Sequence, residues 1–318
     1  MNDKKTIAGF FAGVGGIELG FEQAGFKPVF ANEIDQKATI TYSENHKGTP
    51  LIHDDIKNLS PRDLPKQVDV IAGGFPCQAF SVAGYRLGFE DPRGTLYFDL
   101  LNLIVAKKPQ VVFLENVRNL VSHDSGNTFR VILESLEMNG YFVTWKILNA
   151  KDYGNIPQTR ERIYIVAFRS KYAFDKFAFP KKVSLKQKLD DLIDFDTKVD
   201  EKYYYRENRP MFETLVSEIT SKETVYQWRR HYVRENKSRL SPTLTANMGT
   251  GGHNVPLILT KFGIRKLTPR ECFNLMGFPK NFKLPTGLPD SQLYKQAGNA
   301  VVVPVIKAIA KEIAKALD

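Results

Sequence analysis

The chain has 318 residues, 42% of them hydrophobic, a formal charge of +10 and two cysteines. That length holds one large or two ordinary domains with a real core, and no run of it is apolar for long enough to span a membrane. Met1-Asn2-Asp3-Lys4-Lys5 lacks the apolar core of a signal peptide, and Cys77 and Cys272 without a Cys-x-x-Cys pair argue against a disulfide framework or zinc site, so a reducing cytoplasmic setting is expected.

Thr6 to Phe11 is a short apolar strand, followed by Ala12-Gly13-Val14-Gly15-Gly16 and a helical pattern through Ile17, Leu19, Gly20, Phe21 and Ala24 that Gly25 closes. Strand, glycine turn and helix open a nucleotide-binding α/β unit, where glycines admit a cofactor to the backbone; a plain tight turn has the same signature. The next strand, Pro28 to Ala31, ends in Asn32-Glu33-Ile34-Asp35. An acid about twenty residues past the glycines suits ribose hydroxyls, or is simply a surface carboxylate. His53-Asp54-Asp55-Ile56 follows a third short strand, where it can meet an adenine edge. Nothing resembles a Walker phosphate loop.

Val68 to Ala72 reads as a buried parallel strand running into Gly73-Gly74-Phe75-Pro76-Cys77-Gln78-Ala79-Phe80-Ser81. Open α/β sheets put their ligands at such strand ends, and a cysteine there is a candidate thiolate nucleophile rather than an inert packed thiol. Val82 to Thr95, polar and glycine-rich, reads as a mobile flap; Leu96 to Lys107 is an amphipathic helix. The buried strand Val111 to Leu114 ends in Glu115-Asn116-Val117, bringing a carboxylate to the same sheet edge, and an ion pair with an arginine is compatible with that placement. A helix from Thr128 to Met138 precedes strands Phe142 to Asn149 and Ile163 to Phe168, expected as an antiparallel pair. Between them, Gln158-Thr159-Arg160-Glu161-Arg162 puts both arginines on one side if the stretch is extended.

Regularity dissolves after Pro180, and a boundary falls near Lys181. From Lys222 to Arg270 ten basic residues face only Glu223 and Glu235, so this stretch holds +8 of the net charge and favours a polyanion partner. Thr268 is an expected N-cap with Pro269 at the first helical position, which makes Cys272 a core residue. Tyr294 to Asn299 leads into a helix, Val301 to Leu317, expected to pack back on the first domain.

Taken together, these motifs resemble the prokaryotic DNA (cytosine-5)-methyltransferases of restriction-modification type, in order and over nearly the whole chain. Phe11 to Gly16 resembles the S-adenosylmethionine motif, Asn32 to Asp35 the ribose motif and Pro76-Cys77-Gln78 the nucleophile loop. Glu115-Asn116-Val117, Gln158 to Arg162, Arg265 to Glu271 and Gln296 to Val301 match the later motifs. Two departures are minor: Ile34 stands where an aromatic often covers adenine, and Ala300 replaces a common serine.

The resemblance implies a Rossmann-like S-adenosylmethionine-dependent methyltransferase domain with a mixed sheet, 1–181 completed by 280–318, and a small irregular target-recognition domain, 182–279. It implies catalytic Cys77, Glu115, Arg160 and Arg162, with Arg162 on cytosine O2 and Arg160 on a phosphate near the nucleophile. Cofactor contacts fall on Phe11, Ala12, Gly13, Gly15, Gly16, Glu33, Ile34, Asp55, Ile56, Pro76, Leu96, Asn299 and Ala300. DNA contacts fall on Gln78, Ser81, Arg93, Arg229, Arg230, Arg234, Thr250, Gly251 and Gly252, with phosphate the commoner target for any one arginine. The expected product is S-adenosylhomocysteine, with no metal, and the expected partner is double-stranded DNA. A monomer in the cytoplasm, associated with the nucleoid through DNA, follows, beside a restriction endonuclease acting on the same site without contact. A tRNA cytosine-5 methyltransferase is the runner-up, but the Cys-Phe-Thr signature of that branch is missing; a catalytically silent DNA-binding relative would have lost Cys77 or Glu115.

Overall fold

The computed structural model describes residues 4–76, 96–209, 211–229, 232–249 and 255–318. The loop Cys77 to Ser81 and the expected flap Val82 to Thr95 lie outside the described residues, as do Arg230 and Thr250 to Gly252.

In chain order the helices are α1 (Gly16–Glu22), α2 (Gln36–Asn45), α3 (Leu96–Lys107), α4 (Asn127–Met138), α5 (Ala150–Tyr153), α6 (Lys171–Lys176), α7 (Phe212–Glu218), α8 (Pro269–Leu275), α9 (Asp290–Asn299) and α10 (Val303–Leu317). The chain divides into two compact units. One comprises Met1–Leu148, Glu161–Lys181 and Val305–Asp318; the other comprises Asn149–Arg160 and Lys182–Pro304. The chain therefore changes unit inside Gln158 to Arg162, directly after Arg160.

The first unit is built on seven strands: β1 (Thr6–Phe10), β2 (Lys27–Glu33), β3 (Leu51–His53), β4 (Val70–Gly73), β5 (Val111–Val117), β6 (Phe142–Asn149) and β7 (Glu161–Phe168). They lie in the order β3-β2-β1-β4-β5-β7-β6. The first five pair in parallel and β7 runs antiparallel to β5, which is the mixed α/β sheet expected. Val111 to Leu114 is buried throughout rather than alternating because helices cover both sheet faces. On one face Val112 and Leu114 pack with Tyr97, Leu100 and Ile104 of α3 and with Ile132 and Leu136 of α4. On the other, Phe113 meets Phe21 of α1 edge-on at 5.2 Å. A Cβ at Gly20 of α1 would stand 2.6 Å from Ile306, so α10 packs directly against α1, as expected of a last helix returning to the first domain.

The second unit holds an antiparallel sheet, β11-β10-β8-β9, of β8 (Tyr226–Arg229), β9 (Tyr232–Glu235), β10 (Leu257–Thr260) and β11 (Gly263–Lys266). Tyr226, Leu257 and Ile264 close over Leu215 of α7 and Ile219. Thr268 and Glu271 form a reciprocal capping box at the start of α8, with Pro269 in its first turn. Glu271 also binds the fully buried Arg265 through two parallel bonds, 2.8 and 2.7 Å. Cys272 is fully buried and burial pushes its thiol pKa up, so it is core, as the helix pattern implied.

The basic stretch is less free than its count suggests. Arg265 is spent on Glu271; Arg239 donates to the Glu223 carbonyl and pairs with its carboxylate. Arg270 donates to the Phe282 carbonyl at 2.7 Å, and Lys266 lies over the rings of Tyr203 and Tyr294. Of the ten cations expected to favour a polyanion partner, these four are engaged within the unit. No helix among the described residues is long and apolar enough to cross a membrane.

Candidate active site

In this sheet the strand order reverses at β1, with β2 on one side and β4 on the other, and ligands of open α/β sheets sit outside the carboxyl ends at such a point. The turn leaving β1 is conformationally unusual. Phe11, Gly13 and Gly15 all have positive φ, of 53°, 56° and 86°. For Phe11, a bulky residue, that conformation is strained, and strain of this kind concentrates at binding sites.

The two glycines are there for different reasons. Among the described residues a Cβ at Gly13 would meet nothing within 4 Å, so the turn presents unencumbered backbone there. A Cβ at Gly15 would stand 2.1 Å from Nε2 of His46, whose ring also bonds the Val14 carbonyl at 3.2 Å. Packing against His46 and a φ of 86° each require glycine at 15, independently of any cofactor.

Glu33 ends β2 and is nearly buried. Its Oε2 accepts from Gly13 N at 2.7 Å and its Oε1 from Asp35 N at 2.7 Å, so one carboxylate ties the glycine turn to the next loop. Ile34 beside it is 59% exposed, a bare apolar surface at the sheet edge. Asn32 donates to the Ile52 and Asp54 carbonyls, fixing the β3 end; Asp55 caps the short helical turn Ile56–Asn58. Ile56 itself is 3% exposed and packs in the core. Phe11 reaches across to β4, with its Cδ2 3.6 Å from a Cβ at Gly73.

β5 ends beside this turn, and strand alternation splits its last residues between faces. Glu115 shares the face of Phe113; its side chain is 11% exposed and its Oε1 meets Arg162 Nε at 3.2 Å. Glu115 pairs with Tyr164 and Val117 with Arg162, so Glu115 and Arg162 are diagonal neighbours on one face of an antiparallel ladder. A Cβ at Gly74 would stand 3.4 Å from Glu115 Oε2 and 3.9 Å from Ile17 Cδ1. Gly74, Ile17 and the Glu115–Arg162 pair therefore adjoin three residues before Cys77. On the opposite face, buried Asn116 donates to the Phe75 carbonyl at 2.8 Å while accepting from Val117 N. Asn116 thus fixes Phe75, next to exposed Pro76 and two residues before Cys77 in the sequence. The sequence reading passed over this, although an asparagine inside an apolar strand signals a buried amide with a job. Leu96 opens α3, half-buried against the core. The remaining nucleophile-loop candidates, Cys77, Gln78, Ser81 and Arg93, lie outside the described residues.

Arg160 and Arg162 do not share a side or a task, which corrects the extended reading. In the second unit Arg160 is 3% exposed and donates to the carbonyls of Leu244 (2.7 Å), Gly298 (3.1 Å) and Ala300 (2.8 Å). A guanidinium so enclosed holds loops together and has no face left for a phosphate. Gln158, fully buried, continues the strap by donating to the Leu275 carbonyl and accepting from Leu244 N. A Cβ at Gly298 would stand 2.2 Å from the Thr245 carbonyl, so α9 lies backbone-to-backbone on that segment and leaves Asn299 exposed at its end.

In the β8–β9 hairpin, Gln227 faces Arg234 and Arg229 faces Tyr232, so these four share one face while Tyr226, Trp228 and Val233 pack into the core. Arg229 donates to Gln227 Oε1 at 3.1 Å, which fixes one end of its guanidinium; Arg234 is exposed. Arg230, Thr250, Gly251 and Gly252 lie outside the described residues.

Residues 6–315 match the family model for C-5 cytosine-specific DNA methylase. The chain is 60% identical over 314 residues to Type II methyltransferase M.Bsp6I of Bacillus sp. (strain RFL6), covering 98% of this chain and 99% of that one. It is 42% identical to Type II methyltransferase M.HaeII of Haemophilus aegyptius, covering 100% and 95%. Among solved structures, a DNMT2 variant of Spodoptera frugiperda superposes with a TM-score of 0.76 over 98% of this chain and 100% of that one. At 21% identity that likeness is one of fold.

Proposed function

Since the chain belongs to the C-5 cytosine-specific DNA methylase family and is a DNA (cytosine-5)-methyltransferase, we propose that it acts on a flipped-out cytosine in a short double-stranded sequence through a covalent bond from Cys77 to C6. The observation that carries this reading is the Glu115–Arg162 pair beside Gly74, at the sheet edge where the chain runs on to Cys77.

S-adenosylmethionine, the family's methyl donor, supplies an electrophilic methyl group on a sulfonium. The residues present fit it: Gly13 offers backbone that no Cβ encumbers, Ile34 an exposed apolar face for adenine, and Glu33 a carboxylate with lone pairs remaining for ribose hydroxyls. Among the described residues no group of His, Cys, Asp and Glu is arranged to hold a metal ion, and the reaction proposed needs none.

Cytosine C5 is a poor nucleophile until something adds to C6. Attack by the Cys77 thiolate forms the S–C6 bond and pushes the ring electrons toward N3 and O2. A proton held between Glu115 and N3 offsets the charge at that nitrogen, and Arg162, already positioned by Glu115, donates to O2. The enamine-like C5 then takes the methyl group. A base, acting through water, removes the C5 proton, and the electrons released expel Cys77 and restore the ring. None of these contacts can form inside a stacked duplex, so the base must leave the helix.

In this reading 1–181 with 280–318 carries cofactor and chemistry and 182–279 carries target recognition, a functional division that differs from the two compact units, in which 149–160 and 280–304 fold with the second. The chain acts as a cytoplasmic monomer, bound to the nucleoid only through DNA, and yields S-adenosylhomocysteine. Its likeness to Type II methyltransferases suggests a restriction endonuclease that cuts the same site without touching this chain. Cytosine-methylation sequencing of DNA from expressing cells tests the reading. One short motif methylated at C5 by the wild type and by no Cys77→Ala variant is expected; methylation by that variant, or none in DNA, contradicts it.

A further inference from the structure

α1 carries a carboxyl group that the proposed chemistry leaves unused. Glu18 is fully buried, and among the described residues neither carboxyl oxygen bonds another residue. It lies flat on β1: a Cβ at Gly9 would stand 1.9 Å from its Oε1, so only glycine there lets the carboxyl sit against the strand. Gly9 pairs with Ala31 of β2 and Ala72 of β4 and precedes the strained turn by two residues, so the carboxyl occupies mid-sheet beneath that turn.

Glu33 at the end of β2 and Tyr42 on α2 are the titratable groups coupled to it; around Tyr42 stand His46, which caps α2, and Glu22 of α1. None of them is a permanent cation. Burial pushes the Glu18 pKa up to about 8, and the neighbouring Glu33 adds to the rise. Burial outweighs the hydrogen bond from its own backbone that favours the charged form, so the group is held mainly as the neutral acid at pH 7.

We propose that Glu18 is a positioning residue for the cofactor turn: its neutral carboxyl seats α1 on β1, and its ionisation unseats the turn from which α1 starts. The route is short. Gly15 is the N-cap of α1, three residues from Glu18, and the carboxylate that fixes Gly13 is Glu33, the same group that an ionised Glu18 repels. Charge on Glu18 therefore strains both the helix seat and the Glu33 contact. The proposal rests on reading this turn as the cofactor site.

The test is calorimetric titration with S-adenosylhomocysteine from pH 6.5 to 9.5, with circular dichroism on the same samples to verify that the fold persists. Wild-type affinity should hold steady to about pH 7 and fall toward tenfold per pH unit above 8. Glu18→Gln, neutral at every pH, should bind within about threefold of wild type at pH 7 and lack that fall, so the ratio of the two curves reports Glu18 whatever else titrates. Should Glu18→Gln fail to fold, the wild type alone decides: at pH 8.5, binding should take up about three-quarters of a proton when measured in buffers of different ionisation enthalpy. An identical pH dependence in both proteins, or no proton uptake, overturns the proposal. Failure of the wild type to bind at pH 7 would instead overturn the cofactor reading, and this inference with it.

Discussion

At Gly13 and Gly15 the same residue type answers two different demands, and substitution separates them. Gly13→Ala brings a methyl group within 4 Å of no described residue, so its folding cost is that of a left-handed alanine, about 1–2 kcal/mol, while cofactor affinity should collapse. Gly15→Ala bears the same backbone cost and also drives a methyl group into the His46 ring, so it should lower the melting temperature further; His46→Ala in that background should recover part of the loss. Equal effects of the two alanines on melting and on S-adenosylhomocysteine titration would refute the distinction. The glycine spacing was legible in the chain, but its cause was not, because His46 lies on a different helix, brought to the turn by the fold. Asn116 is a similar case. Removing its bond to the Phe75 carbonyl costs about 1–3 kcal/mol of a buried contact that aims the nucleophile loop. Asn116→Ala should cut methyl transfer about 10- to 100-fold by rate measurement with S-adenosylhomocysteine affinity within twofold, since the glycine turn does not depend on it.

Among elements, the stretch Gln158 to Arg162 departs furthest from its sequence reading. Strand alternation would put both arginines on one side, but it says nothing of a chain that passes from one compact unit to another between them. Arg160→Ala would orphan three carbonyls and remove a buried guanidinium, so a loss of about 3 kcal/mol or more is expected by denaturant titration of the folded protein. The salt dependence of DNA binding should be unchanged in conditions where the variant folds. Arg162→Ala, at a more open site, should reduce turnover more than it reduces stability. If Arg160→Ala instead weakens DNA binding and flattens its salt slope without loss of stability, the phosphate role stands and the strap does not. The central strands were legible because full burial leaves a continuous apolar run, as in Val111 to Leu114. The strands of the second sheet are only four residues each, and runs that short carry little periodicity.

For the molecule as a whole, net charge announced a polyanion partner, but folding decides which cations remain to meet it. Lys261 is exposed, whereas Lys266 is held over two tyrosine rings. Lys261→Ala should reduce the slope of log affinity against log salt by about 0.9 if it contacts a phosphate, and Lys266→Ala should leave it unchanged. A reversed pattern would contradict the placement. The central claim, that methyl transfer runs through a bond between Cys77 and the base, has a more direct test. With fluorine at C5 of the target cytosine, thiolate attack and methyl transfer can proceed, but release would require fluorine to depart as a cation, which is chemically inaccessible. Denaturing electrophoresis followed by peptide mapping should show a protein–DNA adduct that depends on S-adenosylmethionine, maps to Cys77, is absent in Cys77→Ala and forms far more slowly in Glu115→Gln. Release of the fluorinated DNA unmodified, or an adduct at buried Cys272, would contradict it.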